Sequence, residues 1–229
     1  MSVIAANLQA VKNDIAAAAQ QAGRDPSSVT LLAVSKTVPP ATVRAAFHAG
    51  QAAFGENYVQ EGLDKIAALA GLRDRIQWHF IGPLQSNKTR PVAEHFDWVH
   101  AIDRLRIAQR LSDQRPAGMA PLQVCIQVNI SGEASKSGVA PAEVLPLARA
   151  IAELPNLQLR GLMAIPAPAG DPAAQRRPFA ALRGLLDQLR QSGLKVDTLS
   201  MGMSADMAAA IAEGATLVRI GTAIFGARA

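Results

Sequence analysis

Cysteine and aromatic residues are scarce in this sequence of 229 residues. Its single cysteine, Cys125, cannot form a disulfide within the chain, which excludes the disulfide-rich secreted class and favours a reducing compartment. Six Phe, two Trp and one Tyr leave a core that must be mostly aliphatic, although 49% of the residues are hydrophobic. This composition favours helices packed on strands over a β-sandwich, in a chain long enough to bury a large core.

Targeting and membrane-spanning patterns are absent as well. The N-terminal stretch MSVIAANLQAVKNDIAAAAQQAG has no positively charged start and no unbroken apolar block, so we expect no signal peptide. No run of about 18 apolar residues occurs, so we expect no membrane-spanning helix. Together with the lone cysteine, these features predict a cytoplasmic protein.

A basic surface of the kind that binds nucleic acid is also missing. The formal net charge is +5, but the basic residues are scattered and usually stand beside acidic ones, as in LDKIAALAGLRDRI. Without a helical basic stripe and interleaved aromatic residues, we expect no nucleic-acid binding. The modest positive balance instead suits a small anionic ligand, such as a phosphate ester.

What the sequence does contain is a regular alternation of two kinds of segment. Apolar, strand-like segments lie at 29–35, 51–55, 76–82, 97–102, 122–129, 158–165, 196–200 and 216–221. Helical segments lie between them at 40–49, 56–70, 86–95, 104–115, 141–153, 172–192 and 204–213. A further helix over about 2–22 is predicted by apolar residues that recur on one helical face: Ile4, Leu8, Val11, Ile15 and Ala18.

Eight apolar strands alternating with helices predict an α/β fold with a parallel sheet. We predict a single (β/α)8 TIM barrel with an extra N-terminal helix, covering residues 1–229 as one domain. A doubly wound open sheet is the alternative, but no predicted strand is followed by a GxGxxG, GxxxxGKS or GxxxxGKT turn. The Pro-rich segment 164–172 is interpreted as a loop after the sixth strand.

Residues typical of helix ends support several of these boundaries. Ser204 is predicted to cap the helix over 204–213, and Gly214 follows its end. Glycines are predicted to close three other helices: Gly50, Gly71 and Gly193.

The uncommon polar residues follow the strands, at the end where barrel proteins place their chemistry. Two of these loops, SMGMS at 200–204 and Gly221-Thr222, combine small residues with hydroxyl groups and accessible backbone N–H groups. The loops after strands seven and eight hold a phosphate in many such barrels, so we predict a phosphate site there. The alternative for each loop is a plain helix cap or chain turn.

Lys36 ends the first strand, in VTLLAVSKTVPP. A lysine at this place either is partly desolvated, with an amine suited to Schiff-base formation, or extends its head into water. A reactive lysine facing a phosphate site suggests a Schiff-base aldolase for phosphorylated sugars or a pyridoxal phosphate (PLP) protein. Arg219, within the apolar TLVRIG, suits a pyridine nitrogen or a structural ion pair. His79 is either a core histidine or a pocket wall.

Six motifs in chain order resemble one known family. They are AVSKTVP, FGENYVQE, WHFIGPLQSNK, VNISGEASKSG, GLMAI and LSMGMSADMAAAIAEGATLVRIGTAIFG, and together they span about residues 29 to 226. The sequence is similar to the pyridoxal phosphate homeostasis protein family, also called YggS or PROSC. The resemblance implies an alanine-racemase-like barrel, the barrel of fold-type III PLP enzymes.

The resemblance also implies a PLP site. Lys36 would carry the cofactor as a Schiff base, and Arg219 would face its pyridine nitrogen. The phosphate would be held by Ser200, Ser204, Gly221 and Thr222, and the ring would be lined by Asn57, His79 and Met163. Gly202, between the two serines, completes the predicted cofactor-binding set. No metal ligand and no catalytic residue is expected.

Fold-type III racemases and decarboxylases carry a second, β-rich domain that supplies a catalytic Tyr or Cys across a dimer interface. We expect this chain to lack that domain, because it stops at Ala229, directly after the eighth strand. The resemblance therefore implies a protein that buffers PLP and delivers it to apo-enzymes with little or no catalysis, and the expected lack of the second domain favours a monomer. The alternative is a PLP-dependent amino-acid racemase of low activity. The loop 131–138, with Lys136, either contacts partners or anions or is solvated.

Overall fold

The computed structural model describes residues 2–133 and 137–226, and within them eight parallel strands close into a barrel. The strands follow one another around the barrel in chain order, and the first pairs with the eighth to close it. Their bounds are Thr30–Val34 (β1), Ala53–Glu56 (β2), Gln77–Phe80 (β3), Trp98–Ile102 (β4), Leu122–Gln127 (β5), Leu157–Met163 (β6), Thr198–Ser200 (β7) and Leu217–Ile220 (β8). The predicted (β/α)8 barrel is confirmed.

Helices cover the outside of the barrel and connect its strands. Their bounds are Val3–Gln21 (α1), Pro40–His48 (α2), Val59–Ala68 (α3), Thr89–His95 (α4), Leu105–Gln114 (α5), Val144–Ala152 (α6), Pro172–Gln191 (α7), Met207–Ala212 (α8) and Thr222–Phe225 (α9). Single turns of 3-10 helix lie at Pro26–Ser28, Ala70–Leu72, Ser86–Lys88 and Pro141–Glu143. Within the described residues, no helix combines the length and the apolar character that a membrane span requires.

Successive residues of each strand face two different apolar layers, because side chains alternate along a strand. The main core lies between strands and helices and includes Leu31 and Ala33 of β1 and Val218 of β8. Two smaller clusters fill the barrel interior: Leu32 with Ala53, Ile81 and Leu217, and Ala101 with Cys125 and Met163. The barrel is therefore packed inside, and polar side chains at its carboxyl end stand on an apolar floor.

The N-terminal helix α1 has the predicted face. Leu8, Val11, Ile15 and Ala18 are buried, and Ile4 packs against the same core. Its first turn is capped by Ser2, whose side chain accepts a hydrogen bond from the backbone of Ala5 at 3.2 Å. Because α1 packs against α2, α8 and α9, it covers the side of the barrel where β8 meets β1.

The beginning of α8 differs from the prediction. Ser204 is exposed in a turn, and the helix begins three residues later, with Asp206 at the N-cap position. The Asp206 carboxylate accepts a hydrogen bond from the backbone of Met203 at 2.6 Å, so it fixes the turn that Ser204 was expected to stabilise. The prediction that Ser204 caps this helix is therefore wrong.

Two further details differ at helix ends. Gly71 does not close α3, because α3 ends at Ala68 and Gly71 lies within a 3-10 turn. The short helix α9 is not apparent in the sequence pattern, which predicts a loop at Gly221-Thr222. The other predicted glycines follow helix ends with positive φ, as expected: Gly50, Gly193 and Gly214.

Candidate functional site

A cavity of about 320 Å³ opens at the carboxyl end of the barrel strands. It brings together predicted site residues from distant parts of the chain: Lys36, Asn57, Ser204, Arg219, Gly221 and Thr222. The remaining lining residues are Val34, Ile81, Ile165, Met203 and Ala205. The volume lies within the range of small-molecule sites, roughly 300–1,000 Å³.

The charges of this cavity all have one sign. Among the described residues that line it, Lys36 and Arg219 are cations, and none is acidic. Val34, Ile81 and Ile165 add an apolar wall. The lining therefore suits a small anion that also has a flat apolar part.

Lys36 reaches the cavity from a tight turn after β1. The Ser35 N–H donates to the Gly55 carbonyl at 2.9 Å, and the Val38 N–H donates to the Ser35 carbonyl at 3.0 Å. Thr37, the third residue of this turn, has a φ of 64°, which is rare for a β-branched residue and matches the requirement of a type II turn. The half-buried Lys36 thus stands on a backbone that is constrained on both sides.

Arg219 lies on β8 with only 5% of its surface exposed. Its guanidinium donates to the Ser200 carbonyl at 2.6 Å, to the Ser200 hydroxyl at 2.8 Å and to the Ala164 carbonyl at 2.9 Å. Burial lowers the pKa of Arg219 to about 10, an effect that the charge of Asp206 partly offsets. The side chain therefore stays a cation at neutral pH and is held at the ends of β6 and β7.

Asn57 directly follows β2 and carries an unsatisfied polar atom. Its side-chain Oδ1 is buried and has no hydrogen-bond partner among the described residues. The loop after β3 approaches Asn57 closely, since a Cβ on Gly82 would lie 2.1 Å from the Asn57 carbonyl oxygen. A buried amide oxygen without a donor is unfavourable, so this atom fits a ligand or water that donates to it.

The loops after β7 and β8 meet at one side of the cavity, as the sequence predicts. Ser204 comes from the first loop, and Gly221 with Thr222 comes from the second. Gly202 shapes the first loop from behind: its φ is 93°, and a Cβ there would lie 2.6 Å from the Cβ of Ala210. Gly202 therefore permits the loop to pack on α8 but is not among the described lining residues.

Three other predicted residues, Ser200, His79 and Met163, are buried beneath the cavity and are not part of its described lining. Met163 belongs to the apolar cluster with Cys125. His79 is stacked on Trp98, with ring centroids 5.2 Å apart. The structure thus divides the predicted set into residues that face the cavity and residues that support its floor.

Ser200 and His79 are linked through a residue that the sequence analysis missed, His100. His100 Nδ1 lies 2.8 Å from the Ser200 hydroxyl, and His100 Nε2 lies 3.0 Å from His79 Nδ1. Arg219 donates to the Ser200 hydroxyl, and the donors in the two further hydrogen bonds, Ser200 with His100 and His100 with His79, follow from the tautomers of the rings. We call Arg219, Ser200, His100 and His79 the histidine chain.

Both histidines of this chain are neutral at neutral pH. Burial lowers the pKa of His79 to about 3. Burial, followed by the charges of His79 and Arg219, holds the pKa of His100 well below its usual value. The two rings therefore add no further positive charge beside Arg219.

A second buried polar group, also missed in the sequence, lies behind Lys36. Lys65 Nζ is 2.9 Å from Glu56 Oε1 and 2.6 Å from Glu61 Oε1. Glu56 and Lys65 are almost fully buried, while Glu61 is half-buried. Burial raises the pKa of Glu56, against the opposing effects of Lys65 and of the Ser35 hydroxyl. We call Glu56, Glu61 and Lys65 the acid–lysine cluster.

A larger cavity, of about 610 Å³, opens beside the amino ends of β3 and β4. Its three arginines are already engaged: Arg73 pairs with Asp97 at 2.7 Å, Arg160 pairs with Asp197 at 2.7 Å, and Arg115 donates to backbone carbonyls. The lining of this cavity also includes the carboxylates of Asp74 and Asp97, whereas no acidic residue is among the described lining residues of the smaller cavity. The smaller cavity therefore remains the candidate site, at the end where barrels place their chemistry.

The predicted loop at 131–138 lies partly outside the described residues, and Lys136 falls in the part that is not described. At the start of this loop, the Ser131 hydroxyl accepts a hydrogen bond from the backbone of Ala167 at 3.1 Å. This contact ties the loop after β5 to the segment after β6.

Comparison with known proteins supports the fold and identifies the family. Residues 6–229 match the family model for the alanine racemase N-terminal domain. The pyridoxal phosphate homeostasis protein of Pseudomonas aeruginosa is 64% identical over 228 residues, which cover 100% of this chain and 97% of that protein. This chain belongs to the pyridoxal phosphate homeostasis protein family. The resemblance inferred from the six motifs is confirmed.

Solved structures agree with this assignment. PipY of Synechococcus elongatus with PLP bound is 38% identical, with a TM-score of 0.84 over 97% of this chain and 100% of that chain. Alanine racemase of Corynebacterium glutamicum is 20% identical, with a TM-score of 0.69 over 99% of this chain and 61% of that chain. The second likeness shows a shared barrel fold alone.

Proposed function

We propose that this protein, as one barrel domain over residues 1–229, holds PLP as a Schiff base on Lys36 and acts in PLP homeostasis. In this role it buffers the reactive aldehyde and delivers it to apo-enzymes, with little or no catalysis. The observation that carries the proposal is the cavity itself, where Lys36 and Arg219 face one small space with no acidic side chain among its described lining residues. PLP binding by the related PipY supports the same ligand.

The described residues fit the chemical parts of PLP. Ser204, Gly221 and Thr222 offer hydroxyl and backbone donors to a phosphate, and Lys36 adds a positive charge nearby. Arg219 offers a buried cation to the pyridine ring. The unsatisfied Oδ1 of Asn57 offers an acceptor to the ring hydroxyl. His79, Met163, Ser200 and Gly202 support these groups from beneath the cavity.

When bound, PLP supplies an aldehyde whose carbon forms a C=N bond with a primary amine, with loss of one water molecule. Lys36 provides that amine. Arg219 stays protonated at neutral pH, so it would not transfer its proton to the pyridine nitrogen of bound PLP. With Arg219 facing its nitrogen, the ring of bound PLP would be a weaker electron sink, which would suit storage better than turnover.

The rim of the cavity supports transfer to other proteins. Ile165 and Met203 line the cavity and are 39% and 40% exposed, and the neighbouring Tyr58 is 60% exposed. An apolar rim of this kind is accessible to another protein while the cofactor is still bound. We propose apo PLP-dependent enzymes as the recipients and expect the carrier to be a monomer in the cytoplasm, in line with its single, buried cysteine.

A PLP-dependent amino-acid racemase of low activity is the second candidate, favoured by the match to the alanine racemase N-terminal domain. A two-base racemase needs an acid or base on each face of the ring. Among the described lining residues, the basic side chains are Lys36 and Arg219, and Arg219 stays protonated at neutral pH. Incubation with L-alanine in D2O, followed by proton NMR at the α-carbon, separates the two. Turnover of about 1 s⁻¹ or faster would establish the racemase instead.

The attachment of PLP to Lys36 is tested by absorbance and by chemical trapping. Addition of PLP to the purified protein should produce the visible absorbance of a Schiff base, and borohydride reduction should place the adduct on the peptide that contains Lys36. Lys36→Ala should abolish both signals, whereas Lys88→Ala, an exposed lysine after β3, should leave them intact. Retention of the adduct in Lys36→Ala would contradict the proposal.

A further inference from the structure

We propose that the acid–lysine cluster positions Lys36 for its reaction with the cofactor, and that Glu61 is the residue that clamps the turn. This inference rests on the proposed function of Lys36. It gives a task to three charged residues that do not line the cavity within the described chain. They act through the backbone on either side of Lys36, so they are positioning residues.

The turn needs a clamp because its geometry is unfavourable for its sequence. Thr37 has a φ of 64°, and a β-branched residue in the left-handed region is strained. Glycine or asparagine usually fills this position of a type II turn. Strain of this kind persists at functional sites when the surrounding structure determines the conformation.

The cluster contacts the chain both before and after Lys36. Lys65 Nζ donates to the Ser35 carbonyl at 2.5 Å, and the Ser35 hydroxyl donates to Glu56 Oε1 at 2.5 Å. The Thr37 N–H donates to the carboxylate of Glu61. Lys36 is therefore flanked by two residues that the cluster binds, and its own position follows from theirs.

The charges make this clamp rigid. Lys65 lies between the carboxylates of Glu56 and Glu61, and charge-assisted hydrogen bonds of this kind are shorter and stronger than neutral ones. Gly62 brings α3 close to its neighbours, because a Cβ there would lie 2.6 Å from the ring of Phe96. Glu61 and Lys65 therefore lie on a tightly packed helix, and their hydrogen bonds to the turn restrict its movement.

The test compares the rate of PLP loading in variants, followed by stopped-flow absorbance and confirmed by borohydride trapping on Lys36. Glu61→Ala should slow loading by about 10- to 100-fold, since small misplacement of a reacting group has effects of that order. Glu61→Gln should retain most of the rate, because its amide oxygen still accepts from Thr37. Asp64→Ala, an exposed acid on the same helix, is the matched control and should load as the wild type does.

A rescue distinguishes positioning from simple stabilisation. Thr37→Gly adopts positive φ without strain, so adding it to Glu61→Ala should restore most of the loading rate. If Glu61→Ala is too unstable to assay, the comparison is made between Thr37→Gly and the double variant, which should load alike. Wild-type loading by Glu61→Ala, or no recovery in the double variant, would overturn the inference. No adduct on Lys36 of the wild type would overturn the proposed function and this inference together.

Discussion

The two cations of the cavity are each supported by a buried polar network, and the two networks differ in how they handle charge. Behind Lys36, the acid–lysine cluster keeps ionised groups in direct contact, with Lys65 between Glu56 and Glu61. Behind Arg219, the histidine chain holds two rings that burial keeps neutral. The first network contains opposite charges that compensate one another, whereas the second joins the cation Arg219 to two neutral rings.

The difference follows from the partners that the fold makes available. A buried charge is tolerated when an opposite charge lies at contact distance, whereas a buried titratable group without one gives up its charge. Lys65 contacts two carboxylates, whereas the charged groups that act on His100 are the cation Arg219 and a second histidine, His79. The stability that the first network contributes should therefore depend on each of its charged members. The stability that the second contributes should depend on pH.

The largest effect should come from removing the single cation of the acid–lysine cluster. Lys65→Met leaves Glu56 buried without its compensating charge, and loss of one partner of a buried pair costs about 3–5 kcal/mol. Urea unfolding at neutral pH measures this loss of unfolding free energy. Lys195→Met, at an exposed lysine, is the control and should change stability by less than about 0.5 kcal/mol. A loss below about 1 kcal/mol for Lys65→Met would show that the cluster is not held by its charges.

The histidine chain should make stability fall in mild acid. The pKa of His79 is lowered to about 3 and that of His100 is also depressed, so between these values and about 6.5 the unfolded chain binds protons that the folded chain does not. From pH 7.5 to 5.5, the two rings together should lower the unfolding free energy by about 2–3 kcal/mol. Urea unfolding at the two pH values measures the change.

A variant isolates this effect from other titrating groups. The raised pKa of Glu56 acts with the opposite sign, because a carboxyl that is more easily protonated when folded loses stability as pH rises. The difference between wild type and His79→Gln cancels that contribution, and the variant should lose about half of the histidine effect. His48→Gln, on the exposed end of α2, should keep the full pH dependence. If the unfolding free energy of His79→Gln depended on pH as the wild type's does, the prediction that His79 is neutral when folded would be wrong.

The smallest effect should separate two nearby serines, Ser200 at the end of β7 and Ser204 in the loop that follows it. Ser200→Ala removes the hydroxyl that joins Arg219 to His100 and leaves a buried ring nitrogen without its partner, at a cost of about 1–3 kcal/mol. Ser204→Ala, at the exposed turn, should change stability by less than about 0.5 kcal/mol but should weaken PLP binding. Thermal unfolding and PLP titration measure the two properties. Equal loss of stability in both variants would contradict the assignment of Ser204 to the cavity lining and of Ser200 to the buried residues beneath it.

Much of the site was predictable because parallel strands place their carboxyl ends on one side of a barrel. Lys36, Arg219 and Thr222 were expected at this end from the strand pattern, and all three line one cavity. His79 and Ser200 were expected there as well, but they lie beneath it. The pattern of strands predicts at which end of the barrel a residue lies. It does not predict whether that residue lines the cavity or is buried beneath it.

The residues that were missed left only weak signals. His100 stands in the apolar strand β4 and Glu56 ends the buried strand β2, so a polar residue within an apolar segment was the available clue. Glu61 and Lys65 are four residues apart on α3, a spacing typical of exposed surface pairs. The burial of Lys65 follows from the close packing of α3, which no local sequence pattern contains.

The sequence by itself determined the barrel, the order of its strands and the end at which Lys36 and the two small-residue loops meet. Periodicity and turn chemistry carry that information, because they act over a few neighbouring residues. Only the tertiary structure decided which polar groups face the cavity, which form its floor, and how Arg219 and Lys36 are held. Those outcomes depend on contacts between residues far apart in the chain, such as His100 with Ser200, and burial then decides whether each group keeps its charge.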